Sequence, residues 1–273
     1  MTADGWTQAV RRQLGLGRVL PLGGPHDGAW ITESAAGTTL RHAAASLRGL
    51  TLGALRISPV DAGEEPGGDG RGSGHETAVP RPPSALPPGP LRVTADLGAT
   101  AGPAAEPLPA TAARLRTALF TAAGERLGLA LAEVDLRVTH LVEEDAGVSD
   151  PLEADAAPSG PAPEPSPTAA AVPTGDDEES RVAAAALTVP GVARLTAGLG
   201  DDGVPAGLGG LGGLGRAVDI AAGPALPRRH VRVELAVTGE RRALDVARGV
   251  RAAVSDALPD HPSVAVLITA VDT

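Results

Sequence analysis

Two stretches of the chain, Leu91–Val142 and Val231–Val271, show the same pattern of apolar and polar positions. Each begins and ends with apolar residues that alternate with polar ones, and between these segments the apolar residues recur at intervals of three and four. Alternation is typical of a strand with one buried face, and the longer interval is typical of an amphipathic helix. Each stretch therefore predicts a strand, a helix and a second strand.

The apolar positions of the two stretches can be matched one to one, which predicts an internal duplication. The first strands match as Leu91, Val93, Ala95 and Leu97 with Val231, Val233, Leu235 and Val237, the helices as Leu115 and Leu119 with Val250 and Val254, and the last strands as Val134, Leu136 and Val138 with Val264, Val266 and Ile268.

An Ala-rich helix and a short strand are predicted before each unit. The helices cover about residues 32–47 and 179–187, and glycines near their ends favour a helix stop. The short strands lie near residues 54–58 and 217–221. We therefore predict an α+β fold with two similar αββαβ modules, each with a strand–helix–strand core.

Low-complexity segments suggest the domain boundaries. Residues 143–180 hold eleven acidic residues and seven prolines without any Arg or His, so we predict a disordered acidic linker between a first module (1–142) and a second (181–273). A Gly/Pro-rich stretch at about 59–90 predicts a disordered insertion in the first module. A Gly-rich stretch at about 198–215 predicts a loop in the second.

Composition and charge narrow the function classes. The net charge is −10, but outside the linker 22 acidic residues face 23 arginines, and aromatic residues make up 1% of the chain. Nucleic-acid binding requires a basic face and usually stacking aromatics, so we expect no nucleic-acid partner.

No cysteine is present. The first twenty residues lack a signal-peptide pattern and no apolar run could span a bilayer, so we expect a cytoplasmic protein without direct membrane insertion.

Motifs for catalysis are weak. The six histidines lack the spacing of metal ligands. Gly210–Gly215 formally matches the dinucleotide fingerprint G-x-G-x-x-G, but it follows more glycine and precedes an apparent strand instead of opening a helix. We therefore predict no enzyme, no catalytic residue, no cofactor and no metal site. A nucleotide-binding enzyme that uses the Gly-rich loop is kept as an alternative.

The last strand suggests an interaction surface. Its outer face carries Ala265, Leu267 and Val271, whereas the matching strand of the first module carries Asp135 and Arg137 there. An apolar outer face must be covered, either by the first module or by another copy of the chain. Ala265, Leu267 and Val271 are therefore the candidate interaction residues.

The second half has a recognisable order of motifs. A small-residue helix leads into Val189-Pro190-Gly191-Val192, and a strand, the helix Ala243–Leu258 and an alternating Val/Ile strand follow. Over Glu178–Thr273 this order resembles the bacterial alkaline-shock or envelope-stress-response protein family. The first half would be a diverged second copy, with Leu47-Arg48-Gly49-Leu50 at the turn.

The resemblance implies a non-catalytic scaffold or assembly protein that acts in envelope homeostasis or stress tolerance through protein–protein contacts. Its expected partners are other proteins, among them its own copies and a small membrane-anchoring protein that would hold it at the inner face of the cell membrane. The residues leave a second interpretation open, in which the acidic linker of a regulatory adaptor binds a basic partner.

Overall fold

The computed structural model describes residues 17–60, 79–82, 84–103, 105–143, 178–196, 217–221 and 229–272. These ranges contain both helices and strands, and the strands form two separate sheets, which confirms the α+β prediction. The helices are α1 (Glu33–Ala45), α2 (Leu108–Thr121), which continues as a π-helical segment (Ala122–Leu127), α3 (Glu178–Leu187) and α4 (Ala243–Ala257). The strands are β1 (Val19–Leu22), β2 (Ala29–Thr32), β3 (Leu50–Pro59), β4 (Leu91–Ala101), β5 (Leu131–Glu143), β6 (Val192–Leu195), β7 (Val218–Ala221), β8 (His230–Thr238) and β9 (Ser263–Asp272).

The two sheets share one connectivity. In the three-stranded sheet, β3 is antiparallel to β4, and β4 is parallel to β5 with α2 as the crossover helix. In the second sheet, β6 and β7 are both antiparallel to β8, and β8 is parallel to β9 with α4 as the crossover. Since β6 pairs with the last part of β8 and β7 with the first, these two short strands together take the place of β3.

Local irregularities coincide as well. The register between the parallel strands shifts after Leu97 in one sheet and after Leu235 in the other, so one residue of the last strand, Thr139 or Thr269, is extra. The turn glycines Gly49 (φ 76°) and Gly191 (φ 101°) both adopt a left-handed conformation that suits glycine. Their carbonyls accept hydrogen bonds of 2.9 Å from the amides of Thr100 and Thr238, respectively.

These shared features correct the predicted alignment of the first strands. Leu97 corresponds to Leu235, whereas the sequence pattern matched it with Val237. A strand has a period of two, so a slip of two residues keeps every side chain on its face and the pattern cannot detect it. The predicted match of Val138 with Ile268 is compatible with these registers, since Val138 pairs with Leu97 and Ile268 pairs with Leu235.

Three strands of the second sheet were not predicted from the sequence: β6, and the pair β1 and β2, which extends the sheet beyond β9. β1 and β2 form an antiparallel hairpin, and β2 pairs in parallel with β9. Both lie within residues 1–142, which were assigned to the first module. The chain therefore begins its described part in one sheet and passes directly from β2 into α1, whose first turn is capped by the hydroxyl of Thr32.

The helices lie between the sheets and bury one continuous core. Apolar residues of both sheets and all four helices of the described chain belong to this core, and α1 packs against both β3 and β9. The π-helical segment after α2 approaches α4 closely at Gly128, where an added Cβ would lie 2.5 Å from the Cβ of Leu244. The two halves of the described chain thus share one core.

Part of the predicted disordered insertion is ordered. Val79 is buried, Ala85 forms a β-bridge with Val19, and the amide of Leu86 donates to the carbonyl of Val19 at 2.8 Å. The Pro and Gly content of this stretch obscured the apolar residues Val79, Ala85 and Leu86, which pack against the core clusters. Residues 61–78, most of the acidic linker (144–177) and the Gly-rich stretch (197–216) lie outside the described residues.

Candidate interaction surface

Two of the three predicted interaction residues are buried inside the chain. Ala265 is 1% exposed and Leu267 is 0% exposed. They form a small cluster with Val19, Trp30 and Val79, all from the first half of the sequence. The apolar outer face of β9 is therefore covered. The sequence analysis allowed two covers, the first module or another copy of the chain, and the first half of this chain supplies the cover.

The third predicted residue, Val271, lies on the other face of the sheet. It packs at the margin of the main core, on the side of Val266 and Ile268, and not with Leu267. The extra residue in β9, Thr269, shifts the in–out alternation by one position, so residues beyond it change face. The prediction that Val271 shares a face with Ala265 and Leu267 is wrong for this reason.

Buried hydroxyls hold this bulge in place. The Oγ1 atoms of Thr196 and Thr269 are 2.6 Å apart, and the hydroxyl of Thr32 donates to the carbonyl of Thr269 at 3.3 Å. All three threonines are buried. Because a buried hydroxyl without a partner is costly, this set of hydrogen bonds specifies how β2, β6 and β9 meet.

An arginine of α4 secures the strand that covers the edge of β9. The Nε of Arg251 donates to the carbonyl of Val264 at 3.1 Å, and its Nη1 donates to the carbonyls of His26 and Asp27 at 2.9 and 2.6 Å. Burial lowers the pKa of Arg251. This guanidinium thus joins β9 to the loop that leads into β2, and the amide of Val266 then bonds the carbonyl of Gly28 at 3.0 Å.

The corresponding arginine on α2 has no such loop to bind. The Nε of Arg116 donates to the carbonyl of Val134 in β5 at 3.2 Å, as Arg251 does to Val264. In the part of the chain that the structure describes, no strand pairs with the far edge of β5. No described strand therefore takes the position beside β5 that β2 occupies beside β9, and this edge of β5 is called the open edge below.

The open edge combines apolar and charged side chains. Val138, Leu141 and Val142 are 46%, 52% and 56% exposed, and they are among the few large hydrophobic residues of the described chain that face solvent. On the outer face, Asp135 and Arg137 are exposed, as the sequence predicted. Arg92 of β4 lies 2.6 Å from Glu133 and 3.5 Å from Asp135. An exposed edge with apolar side chains is a template for pairing with another strand.

A cleft of about 400 Å³ lies at the carboxyl ends of β8 and β9. Most of its lining surface is apolar, and its lining residues carry charges of both signs. The lining residues are Thr39, His42, Arg126, Thr238, Gly239, Glu240, Val271 and Asp272. Asp272 is held by an ion pair with Arg194 of β6. The cleft is large enough to hold a small molecule.

The described histidines have ordinary contacts. His140 lies 3.3 Å from the hydroxyl of Thr51, and His230 lies 3.0 Å from the hydroxyl of Ser263, where burial lowers its pKa. Among the described residues no three His, Asp or Glu side chains are placed to hold a metal ion. Gly210–Gly215 and most of the acidic linker lie outside these residues, so the nucleotide-site and adaptor hypotheses stay predictions.

Searches with this chain found no matching family model, no matching curated protein and no matching solved structure. The resemblance of Glu178–Thr273 to envelope stress response proteins therefore stays a prediction. In the described part, no helix combines the length and apolarity needed to cross a membrane.

Proposed function

We propose that this protein is a non-catalytic assembly protein that binds other protein chains through the open edge of β5. The observation that supports this best is the combination of an unpaired edge with exposed Val138, Leu141 and Val142 at its end. Strand addition to such an edge supplies main-chain hydrogen bonds, and the neighbouring apolar side chains add buried area.

The difference between the two halves adds support. On β9 the equivalent edge is covered by β2, and the outer face by Trp30 and Val79. The chain thus covers the edge of β9 with its own strand β2. No described strand covers the similar edge of β5. Natural proteins usually protect such edges, so an unprotected one with apolar residues favours a binding role.

Site-specific photocrosslinking tests this proposal. A photoreactive residue at position 141 of the full chain should form crosslinks to a protein when it is introduced into cells. The matched control is position 187 on α3, where a leucine is also partly exposed but lies on a helix. Crosslinks of equal yield at both positions, or none at position 141, would contradict binding at the edge.

The resemblance of the second half extends the proposal to envelope stress tolerance, with the protein held at the inner face of the membrane by a small partner. Fractionation tests this extension. The wild-type chain should sediment in part with membranes, and Leu141→Arg should release it into the supernatant, whereas Leu187→Arg should not. A wild-type chain found only in the supernatant would remove the envelope part of the proposal and leave protein binding intact.

A further inference from the structure

The open edge of β5 has the same backbone orientation as the edge of β9 that β2 occupies. In β9 the carbonyl of Val264 and the amide of Val266 point toward the β2 side, because they bond Arg251 and Gly28. Residues two apart in a strand share this orientation. In β5 the carbonyl of Val134 bonds Arg116 in the equivalent way, so the backbone groups of Val134, Leu136 and Val138 point toward the open edge.

The charges along this edge are self-complementary. Asp135 and Arg137 stand on either side of Leu136, and both are exposed on the outer face of the sheet. If two β5 strands run antiparallel about Leu136, Asp135 of one copy lies directly opposite Arg137 of the other, and the reverse pair forms as well. These would be non-hydrogen-bonded pairs, in which opposing side chains approach most closely.

The apolar face matches in the same register. Leu136 faces its own counterpart, and Val134 faces Val138, so the 46% exposed side chain of Val138 gains an apolar neighbour. Leu136, Val134 and Val138 are also the residues whose backbone groups point outward, so they form the hydrogen-bonded pairs of the new ladder. The carbonyl of Val134 can accept from both Arg116 and the new strand, since a carbonyl oxygen has two lone pairs.

We propose that the partner of the β5 edge is a second copy of this chain, paired antiparallel through β5 about Leu136, which joins two three-stranded sheets into one of six strands. Arg137 favours this occupant, because it forms no ion pair within the described residues, although it lies beside Asp96 in register. The proposal rests on the proposed function, in that it names the chain that binds the open edge.

Charge reversal tests this register. Wild-type chain should dimerise in a concentration-dependent manner in sedimentation velocity, and high salt should weaken the dimer because its ion pairs are exposed. Arg137→Asp places Asp135 and the new Asp opposite each other twice, and Asp135→Arg places two Arg pairs opposite each other. Each single variant should raise the dimer Kd by about tenfold or more, since like charges directly opposite are destabilising.

Two rescue experiments separate the proposed pairing from a general charge effect. A 1:1 mixture of the two single variants restores both opposite-charge pairs, so it should form heterodimers with nearly wild-type affinity. The double variant Asp135→Arg/Arg137→Asp should also dimerise. The matched control is Arg56→Asp on β3, the opposite edge strand of the same sheet, which should leave the dimer unchanged. Thermal melts of each variant confirm that it is folded.

Three outcomes would overturn the proposal: a wild-type chain that stays monomeric at all concentrations, a mixture that does not associate, or an Arg56→Asp effect equal to that of Arg137→Asp. Failure of self-pairing can be distinguished from failure of the proposed function. Crosslinks from position 141 to a different protein, together with a monomeric chain, would retain binding at the edge and exclude self-pairing. A monomeric chain without crosslinks would exclude both.

Discussion

Arg248 of α4 binds Asp27, in the loop between β1 and β2, through two hydrogen bonds. The distances are 2.8 Å from Nε to Oδ1 and 3.1 Å from Nη2 to Oδ2. The Asp27 carboxylate also accepts from the amide of Gly24 at 2.7 Å, so it shapes the loop as well as anchoring it. This pair joins residues 221 positions apart and holds the β1–β2 hairpin on the second sheet.

We expect Asp27→Asn to lower the free energy of unfolding by about 1–2 kcal/mol, since a two-pronged charged hydrogen bond is replaced by a neutral one. The control is Asp245→Asn. Asp245 lies 3.7 Å from the same arginine but is exposed, so its removal should cost less than about 0.5 kcal/mol. Urea denaturation of both variants measures the difference, and equal effects would show that Asp27 has no special role.

The same pair predicts a pH dependence. The hydrogen bond from Arg248 lowers the pKa of Asp27 below its usual 3.8, so the unfolded chain binds a proton at higher pH than the folded chain does. The stabilisation is fully present above the unfolded pKa of about 3.9 and is lost as the pH falls through the lowered folded pKa. Asp27→Asn should therefore flatten this part of the stability curve. If the free energy of unfolding depended on pH with the same slope in wild type and variant, this prediction would be wrong.

His230 predicts a loss of stability at a higher pH. Burial lowers the pKa of His230 below 6.5, so the unfolded state takes up the proton first. Stability due to the neutral imidazole is present above about pH 6.5 and falls as the pH drops below that value. His230→Gln should reduce this loss of stability between about pH 7 and 5. Thermal melts across this range test the difference.

Gly128 predicts a strong steric effect where the two halves meet. Its φ of 90° and the short distance from an added Cβ to Leu244 both oppose a side chain, so Gly128→Ala should cost more than about 2 kcal/mol. Gly124, in the preceding π-helical segment, has no heavy atom within 4 Å of an added Cβ. Gly124→Ala should thus be neutral or slightly stabilising. Chemical denaturation distinguishes the two.

Alanine substitutions at Leu267 and Leu141 compare a buried packing position with an exposed position at the proposed binding edge. Leu267→Ala should lower the free energy of unfolding by about 2–4 kcal/mol, because it leaves a cavity beside Trp30 and Val79. Leu141→Ala should change stability by less than about 0.5 kcal/mol, because Leu141 is exposed. If Leu267→Ala left the melting temperature unchanged, the small cluster on the outer face of β9 would contribute little to folding.

Much of the fold could be predicted from local pattern. The segments that became β4, α2 and β5, and those that became β8, α4 and β9, were predicted because each buries one face and so repeats with the period of its secondary structure. Glycines near the ends of α1 and α3 were interpreted as helix stops, and the structure places Gly49 and Gly191 in left-handed turns a few residues beyond those ends.

The candidate site depended on information that the pattern does not carry. β1 and β2 were missed because each is only four residues long and wholly buried, and a short apolar run shows no alternation. The bulge at Thr269 was missed because an extra residue becomes visible only against the partner strand. Consequently the predicted surface, Ala265 and Leu267, is covered, and the open edge of β5 was not recognised.

The sequence alone determined the fold class, the strand–helix–strand core of each half, and the apolar faces of β4, β8 and the first parts of β5 and β9, since these follow from residue spacing along the chain. Only the tertiary structure decided which of two similar edges receives β2 and which has no partner strand among the described residues. That choice follows from long-range contacts, such as those of Arg251 with the loop before β2, and no local sequence pattern records them.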